Sequence, residues 1–252
     1  MSGNDIGEWY RSIPFVSKYW FTGSVLFPLF GKFGFLDPYT MFLIWTPFIE
    51  KFQIWRPITA LFYYPVTPMT GFHYLINLYF LYSYSTRLET STFIGKPADY
   101  LFMLIFNWLC LVIIGFATPL YLLMEPMIIS VLYVWCQLNK DVIVQFWFGT
   151  QFKAMYLPWI LVAFNMIIQG GGFTDLLGIV VGHLYFFLMF KYPQEFGGNI
   201  WLRTPQFMYK FLPNTIGGLS GFGIPPSSRA ARGDATSSSR PRFPGRGQTL
   251  GD

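Results

Sequence analysis

Charge is scarce in this chain of 252 residues. Asp, Glu, Lys and Arg make up 12% of it, about half of the roughly 25% usual in a soluble domain. Cysteine is scarcer still. Cys110 and Cys136 lie in the apolar runs LFNWLCLVII and LYVWCQL, so a structural disulfide is not expected, and neither spacing suits a metal. No Asn-x-Ser/Thr acceptor occurs, so glycosylation says nothing of sidedness. No Gly-x-x-x-x-Gly-Lys-Ser/Thr run occurs either, so any energy from ATP must come from a partner. The opening MSGNDIGEWYRSIP is polar and acidic, unlike a cleavable signal peptide.

What fills the sequence is apolar and aromatic: 53% hydrophobic residues, 21% Phe, Trp and Tyr, and a mean hydropathy of +0.41. That composition predicts an integral membrane protein. The formal charge of +5 is then read as membrane topology rather than nucleic-acid binding. A spanning helix needs about 20 mostly apolar residues, and candidate windows lie at about 17–36, 70–86, 98–117, 119–138, 155–171 and 174–191. The expected fold class is therefore an all-α membrane protein with six transmembrane helices. Residues 37–69 are too apolar for a solvated loop and too rich in Pro to span, so they should lie in the interface, as should the shorter segment 142–152. The expected organisation is an N-terminus over 1–16, a membrane domain over 17–191, a membrane-surface segment over 192–212 and a disordered tail over 213–252. Gly, Ser, Pro and Arg dominate that tail and cannot build a core.

Six spans place both termini on one side. Fourteen of the 17 Lys and Arg residues fall there, and Lys32, Lys51 and Arg56 fall opposite; without the tail after Lys191 the ratio is 7 to 3. The positive-inside rule predicts cytosolic termini, with the long aromatic loop in the other compartment.

Within GFHYLINLYFLY, residues 71–82, His73 and Asn77 stand four apart, on one helix face. Polar side chains at membrane depth are costly and are often functional. Trp55-Arg56 precedes them in the long loop, and Gly178-xxx-Gly182-His183 lies in the last window. This ordered set resembles the rhomboid superfamily of intramembrane proteases. The stretches IWRPITALFYYP, YSTRLE, PADYLFMLIFNW and GHLYFFLMFKYP are similar, more narrowly, to the derlin family, the rhomboid-like proteins of the endoplasmic reticulum. The resemblance runs from residue 1 to about 225 and implies a rhomboid-like bundle.

Active rhomboids carry Gly-x-Ser-Gly on the fourth span, followed by a Tyr four residues after the Ser. Anchored on Tyr133, the stretch MIISVLY puts Ile129 at the nucleophile and Met127 at the first glycine, with Ser130 one position late. One residue is a rotation of about 100°, so Ser130 should point away from His183. The expectation is a pseudoprotease. His73, Asn77 and His183 would remain as a residual polar site, with no catalytic residue, metal or cofactor. Each has a plainer reading as a satisfied polar group in the bundle. Gly178 and Gly182 form a small-xxx-small face suited to packing on the fourth span. Trp55 and Arg56 either pin the first loop or engage clients.

The tail ends in FPGRGQTL, 243–250, which matches the Phe-x-Gly-x-Gly-Gln-x-Leu box that binds the N-terminal domain of valosin-containing protein, a hexameric AAA ATPase. Gly245 and Gly247 would let an extended strand lie close to a sheet edge, with Phe243 and Leu250 in pockets and Gln248 between. The resemblance implies a non-catalytic component of endoplasmic-reticulum-associated degradation. It would sit in that organelle's membrane, engage misfolded proteins, aid their return to the cytosol, and work with a membrane-bound ubiquitin ligase as a homo- or hetero-oligomer. Three other readings stay open: a passive scaffold, an intramembrane protease using Ser130, and a small-molecule transporter. Against the last, the spans carry no charged ring and show no inverted repeat.

Overall fold

The computed structural model describes residues 4–145, 149–195 and 202–213, and they are mostly helical. The tail motif at 243–250 and most of the tail lie outside the described residues. Helix α1 (Asn4–Ser12) ends before Pro14, whose fixed φ opens α2 (Phe15–Lys32). Pro14 offers no side-chain cap, and Glu89 supplies one from a distance: its carboxylate accepts from the Val16 and Ser17 amides at 2.9 and 2.8 Å and from the Ser17 hydroxyl at 2.6 Å. A negative charge there also meets the positive end of the helix dipole.

The long aromatic loop folds into α3 (Pro38–Met41), α4 (Trp45–Glu50) and α5 (Arg56–Phe62). Then come α6 (Gly71–Arg87), α7 (Pro97–Ala117) and α8 (Met124–Leu138). Strands β1 (Ile143–Gln145) and β2 (Gln151–Lys153) pair antiparallel, Ile143 opposite Lys153. Helices α9 (Leu157–Gln169) and α10 (Phe173–Phe186) follow, and the short α11 (Tyr192–Glu195) and α12 (Gln206–Phe211) close the described chain. Both α6 and α10 widen into π-type turns, Leu88–Thr92 and Phe187–Lys191.

A helix stands in each of the six windows, and the fourth differs in its start. In the fourth, the helix begins at Met124 rather than near 119. The residues before it pair with the first loop instead: the Leu43 amide donates to the Tyr121 carbonyl and the Leu123 amide to the Ala60 carbonyl, both at 2.9 Å. Across segment 142–152 the chain forms the strand pair, β1 bringing Ile143 and Val144 and β2 ending one residue beyond at Lys153, with only Val144 buried on β1. Among the described residues, Pro97–Ala117 and Phe173–Glu195, of 21 and 23 residues, are long and apolar enough to cross a membrane. Helices α8 and α9 have 15 and 13 residues, or about 22 and 20 Å, short of the roughly 30 Å hydrocarbon core.

Helix α8 is the axis. Every residue from Met124 to Cys136 is buried except Glu125, as expected of a helix packed on all sides. Against it lies α10. A Cβ added at Gly178 would come within 2.5 Å of the Pro126 carbonyl oxygen, and one at Gly182 within 2.6 Å of the Ser130 carbonyl oxygen. The two backbones meet where only glycine fits.

Candidate functional site

The polar side chains form two separate groups around α8. The first gathers on His73, which is 2% exposed. Its Nδ1 lies 2.8 Å from the Tyr64 hydroxyl and 3.1 Å from Asn77 Nδ2. An amide nitrogen only donates, so Nδ1 accepts and the ring proton sits on Nε2. Nε2 in turn lies 3.1 Å from Asn165 Oδ1 on α9 and 3.5 Å from Glu125 Oε1 on α8. The Asn165 amide then donates to Asp175 Oδ2 on α10 at 2.8 Å and reaches Glu125 Oε1 at 3.4 Å. One network thus ties the residues before α6 to α6, α8, α9 and α10.

Local structure explains how the acids are tolerated. Glu125 and Asp175 each occupy the first turn of a helix, where unpaired amides and the dipole favour a carboxylate. His73 and Asn77 meet because a helix stacks residues four apart. Asp175 Oδ1 is buried without a hydrogen-bond partner.

The second group is smaller. His183 Nδ1 lies 2.8 Å from the Tyr133 hydroxyl, and its ring packs on those of Tyr133 and Phe187. The His183 side is exposed, and His183 shares no hydrogen bond with His73 or Asn77 among the described residues. The three do not converge on one point. Ser130 is fully buried on α8. Its hydroxyl donates to the Met127 carbonyl at 2.7 Å and accepts from Asn107 Nδ2 on α7 at 3.2 Å. Ile129, in the position that the resemblance assigns to a nucleophile, turns its Cβ toward Gly178. Among the described residues, the Ser130 hydroxyl is bonded to Met127 and Asn107, and His183 to Tyr133.

In the first loop, Arg56 is 1% exposed. Its guanidinium donates to the Tyr39 and Phe42 carbonyls at 3.0 and 2.7 Å and to Gln53 Oε1 at 2.6 Å, and it lies over the Tyr39 ring. Trp55, beside it, is 47% exposed, so the pair divides: one side chain ties the loop together and the other faces outward. Among the described residues, no group of three or more His, Cys, Asp or Glu side chains is placed to hold a metal ion.

Tyr64, Glu125, Asn165 and Asp175 carry no spacing in the sequence that would join them. A further pair of contacts was also missed. Asp99 Oδ1, at the start of α7, accepts from the Thr204 and Tyr209 hydroxyls, each at 2.6 Å. The only signal for these was a polar residue within or beside an apolar run.

The profile of the Der1-like family matches residues 13–206. Human Derlin-1 is 58% identical over 249 residues, 99% of each chain. Derlin-1 of Caenorhabditis elegans is 54% identical over 217 residues, covering 86% of this chain and 88% of that one. Derlin-1 of Drosophila melanogaster is 44% identical over 247 residues, 98% and 99%. This chain therefore belongs to the Der1-like family and is a derlin-1-like membrane protein.

Proposed function

We propose that the protein is a non-catalytic derlin of endoplasmic-reticulum-associated degradation, a six-span rhomboid-like bundle with both termini in the cytosol. It engages misfolded proteins and aids their passage to the cytosol. There the 243–250 motif recruits the valosin-containing AAA ATPase, beside a ubiquitin ligase. Family membership supports the pathway. The observation that carries the non-catalytic reading is the placement of Ser130, whose hydroxyl is engaged by Met127 and Asn107 while His183 meets Tyr133.

Polar chain crossing lipid leaves backbone groups without partners, each costing several kcal/mol. Two features support a lowered cost. The short α8 and α9 favour a locally thinned bilayer. The His73–Asn165–Glu125–Asp175 network, with Asn77 beside it, would offer a passing chain further hydrogen-bond partners.

The test uses the full chain in detergent. It should capture the ATPase, and Phe243→Ala should abolish capture; equal capture by both would end the recruitment reading. A fluorophosphonate probe should leave Ser130 unlabelled, and labelling there would restore the protease.

A further inference from the structure

An apolar groove of about 360 Å³ opens between α2, α5 and α7, floored by Met127 of the central helix. Phe15 and Tyr19 of α2, Leu104 and Trp108 of α7, Ile58 and Leu212 line it; Ile58 follows Pro57, which meets Trp108, and Leu212 follows Tyr209, which meets Asp99 at the start of α7, so these two mark opposite ends. The Trp108 indole already donates to the Pro57 carbonyl at 2.9 Å, so the groove asks nothing polar of an occupant along its length. Its volume lies at the low end of small-ligand sites, roughly 300–1,000 Å³.

The Leu212 end is basic. Lys18 belongs to the same turn of α2 as Tyr19, and Lys210 on α12 is exposed, with Arg203 nearby in sequence and also exposed. Lys18 donates to the Arg11 carbonyl at 3.3 Å and lies over the Tyr10 ring. Glu89 and Asp99 near this end are buried and spent, the first on the α2 amides and the second on Thr204 and Tyr209. Exposed Glu8 on α1 is outnumbered by Arg11, Lys18, Arg203 and Lys210, so the balance at the surface is positive.

We propose that this groove binds one acyl chain of an anionic glycerophospholipid, with its headgroup phosphate met by Lys18 and Lys210. Side chains of α2, α5 and α7, with Met127 of α8, hold the chain in a seat, unlike the convex faces that ordinary boundary lipid covers. The Asp99 contacts fix α12, and with it the basic end of the seat.

The full chain is reconstituted in phosphatidylcholine nanodiscs. It is offered phosphatidylserine or phosphatidylcholine bearing a photoreactive group on one acyl chain, and crosslinks are mapped by mass spectrometry. Label should concentrate on residues 101–108 and 15–20 and favour phosphatidylserine. Lys210→Glu, at the surface and harmless to packing, should reduce that preference about fivefold. Leu104→Trp should fill the groove and remove the label there while labelling of α9 near Ile167 persists, which also reports a folded chain. Label spread evenly over the exposed helix faces and indifferent to Leu104→Trp would overturn the proposal. So would equal labelling by both lipids in wild type and Lys210→Glu, or crosslinks showing a protein segment in the groove.

Discussion

Ser24 is fully enclosed on α2, and its hydroxyl has no hydrogen-bonding partner, although its carbonyl accepts from Tyr74 at 2.9 Å. An unsatisfied buried hydroxyl costs about 1–3 kcal/mol. Ser24→Ala should therefore leave the thermal midpoint in detergent unchanged or raise it by the equivalent of about 1 kcal/mol. His73 is the opposite case, with both ring nitrogens engaged. His73→Leu removes a partner from the Tyr64 hydroxyl, the Asn77 amide and the Asn165 carbonyl, and should cost about 3 kcal/mol. Asn165→Leu in the same chain should add less than it costs alone, because the two share a bond; strict additivity in denaturation would show them to be uncoupled. His73 and Asn77 were legible in the sequence because two polar residues four apart stand out on an apolar helix. Asn165 and Glu125 are 40 residues apart and nothing local joins them. Tyr64 is one aromatic among many in the first loop, and Asp175 reads as an ordinary acid at a helix start.

At the scale of elements, the helices were legible wherever an apolar run had the length to form one. The first loop was not, because its short helices are held by Arg56 and by bonds to residues 121 and 123, which no window of sequence contains. The late start of α8 has the same cause. The α8–α10 contact was legible from Gly178 and Gly182 alone. At Gly182 the obstacle is backbone, which cannot swing aside, so Gly182→Leu should exceed the 1–3 kcal/mol typical of overpacking and abolish a cooperative thermal transition. Docking of α12 makes a different prediction. Burial, with the Asp99 carboxylate beside it, pushes the Tyr209 phenol up from 10 to about 12. The phenol ionises more readily once the helix is released. Docking should hold in full below pH 10 and be lost as pH rises through 12. A spin-label pair at Ile94 and Phe207 should report that separation, and Tyr209→Phe should flatten the response.

For the whole molecule, lengths decide what charges alone did not. Basic residues could be counted from sequence and the tail motif spelled out there, yet the mismatch between helices emerges only when their ends are fixed. With α7 at 21 residues and α9 at 13, no single bilayer thickness suits both. In nanodiscs of increasing acyl length, the thermal midpoint should peak in a bilayer thinner than a typical 30 Å core and fall beyond it; a midpoint insensitive to thickness would contradict this. The Asp99 clasp has a mechanical consequence. Tension applied to the chain beyond residue 213 is resisted first by the Thr204 and Tyr209 hydroxyls, so the load enters α7 before it reaches α10. The clasp works as a shear pin. Any load on α12 would reach it first and spare the glycine seam between α8 and α10.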